Sequence, residues 1–129
     1  MKIFFVLFIV CVVTISGFAI QAFAEYDQEK VVSVMRASGA AMGAIKKALK
    51  ASDFFTVAEN LMVIATGMNS LNEVTPPTGS QEHWVATHQS LIKAALKGIG
   101  ACGEEDAEKV GMYVGEIGKL IKEGHGMFK

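Results

Sequence analysis

From Tyr26 to Lys50, apolar or small residues recur at Val32, Met35, Gly39, Met42, Ile45 and Leu49, a three-and-four spacing that predicts one amphipathic helix. Ser52 is read as the N-cap of a second helix with Asp53 in its first turn. That helix carries Phe54, Ala58, Leu61, Ala65, Met68 and Leu71 on one stripe. It stops at "NEVTPPTGS", where Pro76, Pro77 and Gly79 demand a connection. Ser80 can cap a third helix with Trp84, His88, Leu91, Ala95, Ile99 and Cys102 as its inner stripe. "GIGACG" is read as its break, and the acidic "EEDAE" as the start of a fourth helix. Val110, Val114, Ile117, Ile121, His125 and Phe128 share one face of that helix. No stretch alternates as a half-buried strand does. The pattern predicts an all-α fold, an antiparallel up-down-up-down four-helix bundle with two short links and one longer one.

Ahead of this pattern lies a different one. "MKIFFVLFIVCVVTISGFAIQAFA" has one basic residue, a long apolar run and a closing Ala22-Phe23-Ala24, the organisation of a secretory signal peptide. The expectation is cleavage after Ala24, a periplasmic product spanning 25–129 as one domain, and no membrane association after cleavage. Left uncleaved, the run is long enough to span a bilayer. Cys11 lies mid-run behind Val10 rather than a small residue, which argues against a lipoprotein.

Charge and cysteine usage narrow the function. All 13 Asp+Glu and all of the 12 Lys+Arg except Lys2 fall after residue 24, and so even a balance gives no case for nucleic-acid binding. Cys102 is the one cysteine outside the leader, so the fold must rest on its core. No serine-centred glycine elbow, phosphate loop or zinc-protease signature occurs, and the chain does not read as an enzyme. Gly111, Gly115 and Gly118 lie on one side of the fourth helix. Each costs about 1 kcal/mol against alanine, which calls for close helix approach or for room beside a flat ligand. His88 reads as a hydrogen-bonded core histidine and Cys102 as a buried inert thiol; 14 residues apart on one helix, they cannot share a metal ion. Lys46, Lys47 and Lys50 form a basic patch, either solvated surface or a dock for an acidic redox partner.

Two stretches resemble one family. "MRASGAAMGAIKKAL" resembles the first helix of the cytochrome c-prime (class II cytochrome c) family, in which Arg-x-x-x-Met precedes Gly-x-x-Met-Gly-Ala-Ile. Met35 falls at that family's haem-facing distal position, "GAAMGAI" follows in register, and Val31 stands where the family usually has arginine. At the C-terminus the family carries Cys-x-x-Cys-His, then an aromatic residue and Arg or Lys. His125, Phe128 and Lys129 match, but Ile121 and Gly124 occupy the cysteine positions. Covalent haem c is therefore excluded.

The ending is also similar to that of periplasmic b-type four-helix-bundle cytochromes, which hold haem without thioethers between a methionine on the first helix and a histidine near the end of the last. The resemblance implies non-covalent haem b with His125 as proximal and Met35 as distal ligand, Ile121, Gly124 and Phe128 beside it, and electron transfer as the function. Gly124 removes bulk next to His125. If Met35 only packs over the iron, a five-coordinate centre open to nitric oxide or carbon monoxide follows instead. A redox partner protein and a homodimer are compatible with this reading. The alternative is a haem-free bundle acting as a binding or interaction module, with Met35 as core filler and His125 solvated.

Overall fold

The computed structural model describes residues 25–128. The leader and its cleavage point up to Ala24, together with Lys129, lie outside the described residues. Among the described residues four helices account for the regular structure: α1 (Gln28–Lys50), α2 (Phe54–Ser70), α3 (Gln81–Gly103) and α4 (Ala107–Met127). Among the described residues there is no β-strand, and no helix is long and apolar enough to cross a membrane. Close backbone packing joins α1 to α2, α2 to α3 and α3 to α4, whereas α1 and α4 have no comparable seam.

Each of these four helices begins on a side-chain cap that satisfies an otherwise orphaned backbone N–H. Asp27, Asp53, Ser80 and Asp106 accept from the amides of Lys30, Thr56, His83 and Lys109 at 3.0–3.1 Å. The expected cap at Ser52 is corrected to Asp53, whose carboxylate also accepts from the Thr56 hydroxyl at 2.6 Å. Ser52 instead takes φ 54, and Glu105 in the α3–α4 link takes the same value. In both links the amide of the capping Asp returns to a carbonyl five residues back, Asp53 to Ala48 and Asp106 to Ala101. A left-handed residue is what lets the chain turn back so quickly.

The core is formed by Ile45 of α1, Val57, Leu61, Ile64 and Met68 of α2, Leu91, Ala94 and Ala95 of α3, and Val110, Val114 and Ile117 of α4. The buried stripe of α1 is rotated by about one residue from the one expected. Val31, Ser38, Ala41, Ile45 and Ala48 are buried, while Val32 is 43 % exposed and Met35, Met42 and Leu49 are half-buried. α1 packs closely on α2 alone, and small residues win the contact face because the backbones approach there. A Cβ added at Gly67 of α2 would lie 3.0 Å from Val34 Cγ1.

The glycines also depart from expectation. "GIGACG" does not break α3, which runs through it to Gly103. Gly98 is buried in helix packing, and a Cβ there would come within 2.9 Å of Leu61 Cδ1. Conversely, Cβ atoms added at Gly111, Gly115 and Gly118 would meet nothing within 4 Å. Close helix approach is not their reason.

Candidate functional site: a cavity at one end of the helices

The connection from α2 to α3 is tied down hard. Gln81 Nε2 donates to the carbonyls of Asn72 and Val74, both at 3.2 Å, and Trp84 Nε1 donates to that of Leu71 at 2.8 Å. Leu71, Val74 and Trp84 join Val31 in a second buried cluster. Phe128 closes this end, its ring edge-on to Trp84 at a centroid distance of 5.0 Å. The ring can sit there because Gly79 lacks a side chain and adopts φ 83; an added Cβ would lie 3.2 Å from it.

Behind Phe128 is a cavity of about 120 Å³. Its walls come from the first turns of α1 (Val31, Met35), the end of α2 (Met68), the start of α3 (Trp84, Thr87, His88, Leu91) and the end of α4 (Leu120, Ile121, Gly124, His125). Tyr26 and Pro77 complete it. The five residues singled out from the sequence, Met35, Ile121, Gly124, His125 and Phe128, thus line one cavity, although they are separated by up to 93 positions in the chain. Met35, Ile121 and Phe128 are half-buried and His125 is exposed at the rim. A Cβ at Gly124 would touch Thr87 Cγ2 at 3.4 Å, an ordinary contact, so space against α3 does not by itself demand glycine.

His88 belongs to the same wall. It is buried as expected of a core histidine, but it is not hydrogen-bonded as such residues are: Nδ1 has no partner. Its ring lies edge-on to Trp84 at 4.4 Å. Burial pushes its pKa down to about 4, because the charged imidazolium would lose its hydration with no carboxylate to replace it. Cys102 is buried, and burial raises its thiol pKa, as an inert thiol requires. At 1.5 Å per residue it lies about 21 Å along α3 from His88.

The donors present suit a haem iron: an imidazole and a thioether on one cavity, with apolar and aromatic walls around them. Its volume of about 120 Å³ is smaller than the roughly 300–1,000 Å³ of ordinary ligand sites. A porphyrin therefore needs the cavity to widen. The seam best able to give is α1–α4, where close backbone packing is missing and where Met35 and His125 stand on the two sides. Among the described residues no group of three or more His, Cys, Asp or Glu side chains gathers as a metal site. No protein-family profile, no curated protein and no solved structure matches the chain.

Proposed function

We propose that the protein is a periplasmic haem-binding electron-transfer protein, with b-type haem held non-covalently by His125 and Met35 at one end of an antiparallel, cytochrome c-prime-like four-helix bundle. The observation that carries this reading is the convergence of Met35, Ile121, Gly124, His125 and Phe128 on one cavity. The helix ends gathered there, first turns of α1 and α3 with last turns of α2 and α4, support the up-down-up-down path. When bound, the haem would supply a one-electron iron couple, or a gas-binding iron if one axial face stays open.

The chain's own residues would then divide the work. His125, at the rim, offers a ring nitrogen; Met35, half-buried, offers its thioether from the opposite helix. Trp84, Leu91 and Ile121 keep water from the walls, and Phe128 caps the end. Ile121 and Gly124 provide no thiol, so retention depends on affinity alone. Without a tether, stability rises with free haem, by about 2.7 kcal/mol at 100 times the dissociation constant. The basic patch at Lys46, Lys47 and Lys50 is exposed at the far end of α1, about 16 Å along the helix from Met35 for the nearest lysine. A redox partner using it would stand away from the haem edge; the rim around Tyr26 and His125 is the nearer docking place.

The small volume of about 120 Å³ favours a second reading, a haem-free bundle that binds smaller molecules or another protein. Saturable binding of hemin separates the two, and spectra of the haem-loaded protein then test the ligands. His125→Ala is expected to abolish the low-spin spectrum, and Met35→Ala to leave bound, high-spin iron that takes up carbon monoxide. Identical spectra for the wild type and both variants would remove this assignment of ligands.

A further inference from the structure

Phe128 differs from Trp84, its neighbour in the cavity wall, in how it is held. Trp84 is buried, and its Nε1 donates to the Leu71 carbonyl at 2.8 Å. The connection beside it is fixed by the two hydrogen bonds of Gln81. Phe128 is half-buried and stands beyond the last residue of α4. Its backbone N–H donates to the Gly124 carbonyl at 3.0 Å, but a phenyl ring has no polar atom to anchor it. Rotation about the Cα–Cβ bond therefore moves the ring without breaking a hydrogen bond. The ring packs edge-on to Trp84 at 5.0 Å, and its Cδ1 and Cε1 take space that a Cβ at position 79 would contest at 3.2 Å. The cavity meets the ring, whereas Gly79 is not among its walls, so the ring fills room that the cavity would otherwise gain. An apolar cavity of about 150 Å³ holds one benzene ring, so withdrawing a phenyl ring roughly doubles one of about 120 Å³.

We propose that Phe128 is a built-in occupant of the cavity, a ring that competes with apolar ligands and swings out to solvent when one enters. Opening of the α1–α4 seam widens the cavity between helices; withdrawal of Phe128 deepens it with no helix moving. The edge-to-face pair with Trp84 that withdrawal breaks corresponds to a factor of roughly 2–12 between seated and withdrawn rings. Apparent affinity is lowered in proportion, since a ligand finds only the molecules whose ring is out. The sign of the effect separates this role from that of an ordinary wall: removing a wall weakens binding, and removing a competitor tightens it. The proposal does not rest on the haem reading, because any apolar molecule too large for the seated form reports on it.

Fluorescence titration of the purified protein with N-phenyl-1-naphthylamine, a neutral three-ring probe, tests it. Quenching of Trp84, the single tryptophan, places the bound probe at this end of the fold. Phe128→Ala is expected to bind the probe saturably and about 2–12 times more tightly than the wild type. Gly79→Ala is expected to tighten binding by unseating the ring, and to add nothing in the Phe128→Ala background. Equal or weaker binding by Phe128→Ala, a Gly79→Ala effect that persists without the ring, or no saturable binding by any of these proteins would overturn the proposal. Should one variant fail to fold, the other against the wild type decides the matter. A negative hemin titration beside the expected probe result removes the haem reading and leaves this proposal standing; the reverse pattern removes this proposal alone.

Discussion

At the residue scale, His88 gives the molecule a pH dependence whose sign follows from its burial. Unfolded, it takes up a proton as pH falls through about 6.5; folded, it resists until about 4. The unfolded state thus binds more protons inside that window, so stability is full above pH 6.5 and declines between 6.5 and 4. The other titratable groups on the cavity, Tyr26 and His125, are exposed. Urea unfolding midpoints between pH 7 and pH 4 are expected to fall more steeply for the wild type than for His88→Leu; parallel curves would contradict this. The position of His88 on the inner stripe was legible in the sequence, as were the five residues that converge on the cavity. Its unpaired Nδ1 was not legible, because periodicity assigns a face to a side chain and says nothing of the partner atoms across from it. Trp84 and Met68 were likewise read as stripe residues, with no signal that a cavity would open between them.

At the element scale, the two short links are variations on one device, a left-handed residue followed by a capping Asp. Ser52 and Glu105 each hold φ 54, a conformation that costs a non-glycine residue about 1 kcal/mol or more. Ser52→Gly is therefore expected to raise stability by up to about 1 kcal/mol in denaturant titration, and no gain would contradict the link geometry. The helical glycines make a sharper contrast. Gly111→Ala enters open space and is expected to stabilise by about 0.5–1 kcal/mol. Gly98→Ala meets Leu61, fully buried, at 2.9 Å, and is expected to fall below Gly111→Ala by roughly 1–3 kcal/mol; equal effects would count against the packing described. Helix number and order were readable from the three-and-four spacing. The one-residue rotation of α1 was not, since it depends on α1 having one close neighbour where a symmetric bundle supplies two. Nor was the passage of α3 through "GIGACG", because a glycine that lets helices approach looks in sequence like one that ends a helix.

At the scale of the whole molecule, the distinguishing feature is an incomplete ring of contacts: three helix seams are closed and the α1–α4 seam is loose. The cavity lies at one end of that seam, walled by Phe128 and Trp84, with the two proposed ligands on opposite sides. The proposed export belongs to the same account, because a chain threaded unfolded across a membrane would take up untethered haem only after folding on the far side. The cell-envelope product is expected to begin at Glu25 by N-terminal sequencing, and a product beginning at Met1 would contradict cleavage. The central claim is that this end of the fold opens to take one haem on His125. Titration of the folded, cofactor-free protein with hemin tests it most directly. The account predicts a Soret shift that saturates at one equivalent and is lost in His125→Ala; no saturable shift, or the same shift in His125→Ala, would contradict it.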